Sequence, residues 1–409
     1  MNKKILYISY DGMTDPLGQS QVIPYLIGLQ KKAYDITILS TEKRKNYSLH
    51  HKKIENLLTK NHIKWEKIYY TKKPPIISTV LDIYKLIVKT KRIYKKNKFN
   101  IVHCRSYIAA FVGFLMKKKY NVKFIFDMRG FYADERVDGN IWNTNNFIFR
   151  TVYNFFKNKE TRFLHEADYT ISLTNAAKKI IYNWKEFKNK KPAIEVIPCC
   201  ADFSLFSPNN ISKSKVDFYK NELEITENDF IISYLGSIGT WYLLDEMLIF
   251  FKRLLIKKPN AKFLFISFDD SNLIKKTAEK NSISQDKIIV QKADRENVPS
   301  LISISNISIF FIKPVFSKKA SSPTKLAEIM GMGIPIICNS NVGDVDEIIN
   351  KTQAGLIVNN FSINEFDKII DSIDEKIKIS KEKIIISAQQ NFSLQMGIEK
   401  YAKIYDILN

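Results

Sequence analysis

Cysteine is scarce in this sequence, which has four among 409 residues, at positions 104, 199, 200 and 338. No two of them form a C-x-x-C pair, and four thiols in a chain of this length do not make a disulfide framework. We therefore expect neither a zinc site nor a disulfide-stapled fold. Reduced thiols of this kind are typical of a cytoplasmic protein.

Long apolar runs are absent as well. The longest uncharged apolar stretch, 108–116, is about half of the roughly 20 residues that a membrane-spanning helix requires. The apolar run near the N-terminus has the basic start of a signal peptide but is only strand length, too short for its apolar core. The sequence thus predicts a chain that is soluble or lies on a membrane and does not cross it.

Common nucleotide-binding and hydrolase motifs are also missing. The sequence contains neither GxGxxG nor GxxxxGK[ST], which removes the usual dinucleotide and P-loop sites. It contains no HExxH and no GxSxG. No cofactor and no metal are expected, and any site must be of another kind.

Acidic residues are few in one half of the chain only. Residues 1–200 contain 38 Lys+Arg and 16 Asp+Glu, whereas the remainder contains 26 of each, so the first half carries the whole formal charge of +22. A codon bias toward lysine accounts for part of this excess, but such a bias does not spare one half. Nucleic-acid binding is not expected, because the chain has no recognition motif and its second half is neutral.

A helix predicted near 76–97 concentrates the positive charge. Lys85, Lys89, Arg92 and Lys96 recur on one face, while Val80, Ile83, Ile87 and Tyr94 form an opposite stripe that we expect to face the core. Each such basic residue contributes about 1 kcal/mol near an anionic bilayer. The pattern favours attachment to an anionic membrane surface, with a solvated basic face as the alternative interpretation.

Short apolar runs alternate with helix-length amphipathic segments along the chain. This rhythm predicts parallel sheets covered by helices on both faces, an α/β fold. It restarts after an irregular passage at 198–208, which indicates two doubly wound domains facing each other across a cleft. We place the first domain at 1–200, the second at 201–385, and a closing helix that returns to the first domain at 386–409. The predicted strands are 5–9, 36–40, 65–69, 101–103, 123–127, 169–173, 194–197, 230–235, 262–267, 287–290, 307–312, 334–338 and 355–358.

The most distinctive segment of the second half is 318–328, Lys-Lys-Ala-Ser-Ser-Pro-Thr-Lys-Leu-Ala-Glu. It follows a predicted strand and begins a helix, with Ser322 suited to the N-cap and Pro323 to the first helical position. The N-terminal end of a helix attracts an anion such as a diphosphate, and Lys325 adds a positive charge. Glu328, one turn later, is placed to accept ribose hydroxyls. An ordinary capped helix with solvated charges is the alternative.

Two glycines follow another strand of the second half, in the sequence Gly236-Ser-Ile-Gly-Thr-Trp241. Glycine directly after a strand allows the backbone to approach a ligand closely. A tight turn before the next helix is the alternative explanation.

Polar residues also end two strands of the first half. His103 and Arg105 end the fourth strand, and Asp127 and Arg129 end the fifth. Because ligands of doubly wound sheets bind beyond the carboxyl ends of the strands, these side chains are candidates for chemistry. A buried core histidine and a salt-bridged loop are the alternatives.

In this order and spacing, these positions resemble the retaining nucleotide-sugar glycosyltransferases of the group 1, or family-four, class. The resemblance runs almost from end to end and implies the GT-B fold, in which two Rossmann-like domains face each other and the closing helix returns to the first. It is carried by the segments 10–22, 101–105, 126–135, 166–174, 196–202, 234–237, 322–335 and 392–408.

The resemblance implies metal-independent hexosyl transfer with retention of configuration. The second domain would bind a nucleotide diphosphate sugar as co-substrate, and the first would bind the acceptor. The implied catalytic residues are His103, Arg105, Asp127, Arg129 and Lys325. The implied donor-binding residues are Gly18, Gly236, Ser237, Ser322, Pro323, Thr324, Lys325 and Glu328.

Three places depart from the family pattern. Ala320 replaces the first of two paired glutamates, of which Glu328 matches the second. Arg105 replaces a second histidine after the fourth strand. Residues 237–241 stand where an arginine and a lysine are usual. A noncatalytic sugar-nucleotide-binding partner subunit and an epimerase of the same fold therefore stay open as alternatives.

The charge distribution and the resemblance together predict the acceptor and the location. We expect a glycan or polyprenyl-linked acceptor, as in capsule or O-antigen assembly. The enzyme would be cytoplasmic and peripheral on the inner face of the cell membrane.

Overall fold

A computed structural model describes residues 3–74 and 76–408. The chain divides into two compact units. The first comprises the residues up to Pro198 together with the segment from Leu394 onward, and the second runs from Cys199 to Ser393. The predicted closing segment, 386–409, therefore contains residues of both units.

The first unit is built on a seven-stranded parallel sheet with the order β3-β2-β1-β4-β5-β6-β7. Its central strands β1, β4 and β5 are mostly apolar and buried, as is typical of parallel strands covered on both faces. The strands are β1 (Lys4–Ser9), β2 (Asp35–Glu42), β3 (Lys64–Tyr69), β4 (Ile101–Arg105), β5 (Lys123–Asp127), β6 (Tyr169–Ser172) and β7 (Ile194–Val196). The helices are α1 (Pro16–Gln21), α2 (Ile23–Gln30), α3 (Arg44–Lys60), α4 (Ile77–Lys96), α5 (Ser106–Tyr120), α6 (Tyr132–Asp138), α7 (Phe147–Glu166) and α8 (Asn175–Tyr182).

The second unit repeats this plan with a six-stranded parallel sheet of order β10-β9-β8-β11-β12-β13. Its strands are β8 (Phe230–Leu235), β9 (Ala261–Ile266), β10 (Ile288–Gln291), β11 (Ile307–Phe310), β12 (Ile336–Asn339) and β13 (Gly355–Val358). Its helices are α9 (Lys213–Glu222), α10 (Leu244–Lys257), α11 (Ser271–Lys280), α12 (Val298–Ile302), α13 (Thr324–Gly331), α14 (Val345–Thr352), α15 (Ile363–Asp371), α16 (Ile373–Lys376) and α17 (Lys381–Phe392).

In both sheets the order in which the chain adds strands reverses once. The chain adds strands to one side of the first strand and then crosses to its other side, at β1/β4 in the first unit and β8/β11 in the second. Such a reversal opens a crevice at the carboxyl ends of the two central strands. The doubly wound α/β class predicted from the sequence is confirmed.

The last helix, α18 (Leu394–Ile407), belongs to the first unit and packs against α2. The side chain of Ile398 fills the place that a Cβ at Gly28 would occupy. The Tyr34 hydroxyl donates to the Ala402 carbonyl at 3.1 Å. The predicted return of the C-terminal helix to the first domain is confirmed.

Helix α4 is turned differently from the prediction. Val80, expected in the core, is 60% exposed, and the inward stripe instead consists of Ser78, Asp82, Leu86, Thr90 and Ile93. The Asp82 carboxylate accepts hydrogen bonds from the Tyr10 hydroxyl at 3.1 Å and from the Thr71 N–H and hydroxyl at 2.9 and 2.7 Å. Because these bonds hold Asp82 inward, the apolar residues on the other side of α4 point outward.

The amphipathic pattern of residues 19–32 predicts one helix, and the structure interrupts it. The structure has α1 and α2, separated at Val22, whose φ of −126° and ψ of −63° lie outside the helical region. Pro24 follows two residues later. A proline ring clashes with the carbonyl four residues before it and lacks an N–H, so a continuous helix is disfavoured here.

Candidate functional site

The candidate site of the second unit lies at the point where the strand order reverses, between β8 and β11. There the loop after β8 meets the segment after β11. Tyr242 forms an isolated antiparallel bridge with Ile312. The Leu243 N–H donates to the Phe311 carbonyl at 3.0 Å, and the Lys313 N–H donates to the Trp241 carbonyl at 2.9 Å. These bonds fix the two loops against each other beyond the carboxyl ends of the central strands.

Lys325, on the first turn of α13, is enclosed by aromatic rings. Its Nζ lies 4.0 Å from the ring centre of Tyr234, 3.6 Å from that of Tyr242 and 6.0 Å from that of Phe310. The residue is 7% exposed, and among the described residues Nζ has no hydrogen-bond partner. Burial lowers the pKa of Lys325 well below the usual lysine value, although the nearby carboxylates oppose the change. The site therefore holds a buried amine that lacks an acceptor.

Gly236 lies directly beside this amine. Its φ is +108°, a conformation that residues with a Cβ rarely adopt, and a Cβ at this position would lie 3.2 Å from Lys325 Nζ. Glycine thus meets both requirements of the turn after β8, the positive φ and the close approach to Lys325. The sequence pattern placed Gly236 directly after a strand and Lys325 on the first turn of a helix, and the structure has both residues there.

Glu328 lies one turn further along α13 and is bound by a residue that the sequence analysis missed. Arg295 Nη1 is 2.9 Å from Glu328 Oε1, and the guanidinium lies 5.1 Å from the ring centre of Phe206. Burial raises the pKa of Glu328, while Arg295 and Lys325 act against that rise. Arg295 follows β10 by four residues, so its position after a strand of the second half was the available signal.

The predicted capping of α13 is wrong. The N-cap position is Pro323, and Thr324 is the first helical residue. Ser322 does not cap the helix, because its hydroxyl accepts a hydrogen bond from the Cys199 N–H at 3.1 Å. Ser237 is exposed. Its carbonyl accepts a hydrogen bond from the Tyr234 hydroxyl at 2.5 Å, so the loop after β8 is bound to the ring that contacts Lys325.

Two further residues of this site come from outside the predicted set. Lys318 Nζ lies 3.5 Å from the ring centre of Trp241. Lys318 and Lys325 therefore reach the loop after β8 from the segment that follows β11. Residues 237–241 of this loop stand where the family pattern has an arginine and a lysine. Ala320, which replaces the first paired glutamate, is buried at 2% exposure.

The four catalytic candidates of the first unit form one cluster at the β4 and β5 ends, in which His103, Arg105 and Asp127 are buried and Arg129 is partly exposed. Asp127 is its centre, with Oδ2 at 3.7 Å from His103 Nε2 and 4.0 Å from Arg105 Nη1, and Oδ1 at 3.8 Å from Arg129 Nη1. Arg105 Nε also contacts Asp11 Oδ2 at 3.2 Å, which links the cluster to the loop after β1.

Helix α18 closes this cluster. The Tyr405 hydroxyl and His103 Nδ1 are hydrogen-bonded at 2.7 Å, and the Tyr401 hydroxyl donates to Asp127 Oδ2 at 3.4 Å. Burial lowers the pKa of His103. Burial raises the pKa of Asp127, but Arg129 and the other cationic neighbours outweigh it and hold that pKa below its usual range.

His103, Arg105 and Asp127 are buried. Their exposures are 1%, 4% and 0%, and their polar atoms meet one another and the closing helix. The catalytic role implied for them stays a prediction. The two tyrosines of α18 were missed, because nothing in the local sequence links the C-terminus to β4 and β5.

Gly18, an implied donor-binding residue, lies in helix α1 of the first unit. A Cβ at Gly18 would collide with the Gly12 carbonyl, so the packing of α1 against the loop after β1 requires a glycine there. Buried Glu42 holds the same loop by accepting hydrogen bonds from the Met13 N–H at 2.7 Å and the Thr14 N–H at 3.2 Å. Its donor-binding role also stays a prediction.

Within the described part of the chain, no group of three or more His, Cys, Asp or Glu side chains is placed to hold a metal ion. The Asp-x-Asp sequence at 344–346 lies at the start of α14. There the Asp346 carboxylate accepts a hydrogen bond from the Asn341 N–H at 3.1 Å.

Comparisons with known proteins match the chain in two successive parts. A family model described as Glycosyltransferase Family 4 matches residues 22–205, and one described as Glycosyl transferases group 1 matches residues 215–391. A search of curated protein sequences found no match.

Solved structures resemble the chain along its whole length. The sucrose-phosphate synthase of Thermosynechococcus elongatus is 14% identical, with coverage of 100% of this chain and 99% of that chain and a TM-score of 0.76. WaaG, a glycosyltransferase involved in lipopolysaccharide biosynthesis, is 12% identical, with 98% and 99% coverage and a TM-score of 0.66. The UDP-GlcNAc 2-epimerase of Neisseria meningitidis, solved with UDP-GlcNAc, is 14% identical, with 100% and 99% coverage and a TM-score of 0.57. At these identities the likeness concerns the fold.

Proposed function

The chain belongs to the group 1 glycosyltransferases and has their GT-B fold, and from this premise we propose that it transfers a sugar from a nucleoside diphosphate sugar with retention of configuration. In this proposal the second unit holds the donor and the first unit holds the acceptor. Neither a metal ion nor a cofactor takes part.

The observation that carries the proposal is the buried Nζ of Lys325, which has no hydrogen-bond partner in the described part of the chain. A diphosphate beside it would supply the acceptor that the protein does not, and would favour its charged form by direct attraction. The start of α13 and the backbone of Gly236 lie at the same place, where helix N–H groups and a close glycine backbone suit phosphate oxygens.

Glu328 and Arg295 support the rest of the nucleotide. Arg295 holds the Glu328 side chain in one orientation, which suits it to accept hydrogen bonds from two ribose hydroxyls. We assign Ser322, Pro323 and Thr324 to the positioning of this first turn and Ser237 to the donor-side loop.

The proposed chemistry needs stabilisation of the leaving group more than a protein base. As the bond between the anomeric carbon and the phosphate oxygen breaks, negative charge grows on the diphosphate and positive charge grows on the sugar ring. Lys325, in its charged form, stabilises the first of these. The acceptor hydroxyl then attacks from the same face, and its proton passes to the leaving phosphate oxygen.

We assign the acceptor to the first unit because that unit carries the positive charge of the chain. A glycan or polyprenyl-linked acceptor in cell-surface polysaccharide assembly, such as capsule or O-antigen, fits this surface. WaaG, which has the same fold, is involved in lipopolysaccharide biosynthesis. None of the described helices has the length and apolar character needed to cross a bilayer. We therefore propose a peripheral position on the inner face of the cell membrane and no nucleic-acid partner.

A thermal-shift screen against UDP-, GDP-, TDP- and CMP-sugars identifies the donor, since a ligand that binds only the folded state raises the melting temperature. With that donor, Lys325→Ala is expected to lower turnover about 100-fold or more, the effect of losing one group that stabilises the leaving charge. Release of the nucleoside diphosphate measures turnover.

Lys276→Ala removes an exposed lysine of the same unit and is the matched control. Lys325→Ala is expected to leave the melting temperature near that of the native protein, because the buried amine makes no hydrogen bond to any described residue. Unchanged turnover in Lys325→Ala would overturn the assignment.

A noncatalytic sugar-nucleotide-binding subunit is the second candidate, favoured by the buried Ala320 in place of a glutamate. It predicts a thermal shift with a nucleotide sugar but no donor hydrolysis and no transfer by the pure protein. An epimerase would instead interconvert two nucleotide sugars without releasing the nucleotide, which the same assay separates.

A further inference from the structure

Helix α4 presents an apolar ridge to solvent. The ridge consists of Ile77, Val80, Leu81 and Tyr84, which are 58%, 60%, 46% and 65% exposed. Their spacing of i, i+3, i+4 and i+7 places them on one face of the helix, opposite the stripe that is buried. Single exposed apolar side chains are normal, but a contiguous stripe of four is typical of an interaction surface.

Basic residues surround the ridge. The segment 71–98 contains nine Lys and Arg and one acidic residue, Asp82. Asp82 is buried and bound to Lys85 Nζ at 3.1 Å, so it does not oppose an anion at the surface. Arg92 and Lys95 continue the ridge face toward the end of α4, and both are exposed.

We propose that the ridge of α4 inserts into the apolar boundary of an anionic bilayer, with the lysines before and after it on the lipid headgroups. This inference rests on the proposed membrane location and adds the residues and the mode of contact. A helix with an apolar stripe beside basic residues lies in the membrane interface in this way. The basic residues alone provide electrostatic attraction to anionic lipid headgroups, whereas the ridge also buries apolar side chains in the bilayer.

A second copy of the chain fits the ridge less well than a bilayer. Stable interfaces use about 20 to 30 residues from each partner, many more than the four of the ridge. Pairing two copies through α4 would also bring two surfaces of the same charge together, which opposes association.

The contacts of α4 connect the ridge to the carboxyl end of the first sheet. Asp82, one position after Leu81, accepts from the Tyr10 hydroxyl in the loop after β1 and from Thr71 after β3. The Tyr10 ring also contacts Tyr70, with ring centres 5.8 Å apart. An inserted ridge would therefore hold the strand ends of the acceptor unit at the bilayer surface, where a lipid-linked acceptor presents its glycan.

A fluorescent label at Val80→Cys tests insertion directly. All four native cysteines are buried, so an environment-sensitive thiol dye reacts at the new site. Ile256→Cys, at a position 64% exposed on α10 of the second unit, is the matched control. With vesicles of equal parts phosphatidylglycerol and phosphatidylcholine, we expect a blue shift at Val80→Cys and quenching by acyl chains that carry a quencher. The dye at Ile256→Cys is expected to show neither.

A polar ridge gives the second measurement. The variant Ile77→Ser/Val80→Ser/Tyr84→Ser is expected to bind these vesicles roughly tenfold more weakly or worse, because three exposed apolar side chains lose their burial in lipid. Its melting temperature and its thermal shift with the donor are expected to match those of the native protein, since the three side chains face solvent. Leu273→Ser/Ile256→Ser, two exposed positions of the second unit, is the control and is expected to change nothing.

The outcomes separate the inference from the function on which it rests. Vesicle binding that salt reverses, without quenching at Val80→Cys, overturns insertion and leaves peripheral attachment standing. No binding to anionic vesicles overturns both, while donor binding still tests the transferase. A native dimer in light scattering that the polar ridge converts to monomer assigns the ridge to a second copy and overturns the inference.

Discussion

At the scale of single residues, the proposed binding of the donor at Lys325 is expected to be linked to proton uptake. Burial favours the neutral amine in the free protein, and a bound diphosphate favours the ammonium. Binding is therefore expected to take up close to one proton where the free amine is neutral, and the affinity is expected to fall as pH rises above the pKa of the free protein.

Calorimetry in two buffers with different ionisation enthalpies measures this uptake. The observed heat is expected to differ between buffers for the native protein and to agree for Lys325→Ala. Equal heats in the native protein would show that the amine does not change protonation.

Glu160 is the second residue with an expected pH effect. Burial raises its pKa to about 7, against the attraction of Lys157. Between the unfolded value of 4.5 and about 7, the folded state binds more protons than the unfolded state, so this group lowers the free energy of unfolding as pH rises through that window. The total is about 3 kcal/mol, at about 1.4 kcal/mol per unit of pKa.

Urea unfolding at pH 5 and pH 8 compares the native protein with Glu160→Gln. The loss of stability between the two pH values is expected to be smaller in the variant by about the same 3 kcal/mol. Lys157 retains Asp134 at 2.9 Å in the variant, so no buried cation is left unpaired. Equal losses in both proteins would contradict the shifted pKa.

At the scale of elements, the turn after β8 contains two glycines, Gly236 and Gly239, that look alike in the sequence but differ in backbone conformation. Gly236→Ala is expected to cost about 1–3 kcal/mol of stability, because its φ of +108° is strained for alanine. It is also expected to weaken donor binding, because the new methyl group lies beside Lys325 Nζ. Chemical unfolding and the thermal shift with the donor measure the two effects.

Gly239→Ala is the matched control within the same turn. A Cβ at Gly239 meets no atom within 4 Å, and its φ is not positive, so stability and donor binding are expected to stay near native values. A similar loss in both variants would show that general loop disorder, rather than the geometry of Gly236, is responsible.

Helix α4 shows what an element's own sequence leaves undecided. Its periodicity identifies a helix, and the structure has one at Ile77–Lys96. Which face is buried depends on Asp82, whose partners Tyr10 and Thr71 lie on other segments. Amphipathic patterns give the period of a helix, whereas the direction of the buried face is set by contacts that are distant in sequence.

At the scale of the whole molecule, the C-terminal helix completes the first unit. Gly28→Ala is expected to destabilise the protein by about 1–3 kcal/mol, because the new methyl group collides with Ile398 in a packed interface. Combining it with Ile398→Ala is expected to cost less than the sum of the two single changes. A double-mutant cycle from chemical unfolding measures this coupling, and additive costs would contradict the packing of α18 on α2.

The sequence alone determined the architecture and the positions of three candidate site residues in the second unit. Each of the thirteen strands was predicted, because buried parallel strands are continuous apolar runs that local composition reveals. Gly236, Lys325 and Glu328 were found because strand ends and a helix start are local patterns, and parallel strands bring their carboxyl ends to one edge. Only the tertiary structure decided the partners of these residues. Arg295, Tyr242 and Tyr405 contact their partners from segments that are distant in sequence. Packing alone therefore decides which buried charge is paired and which amine has no acceptor among the described residues. It also decides which apolar face of a helix is exposed to solvent.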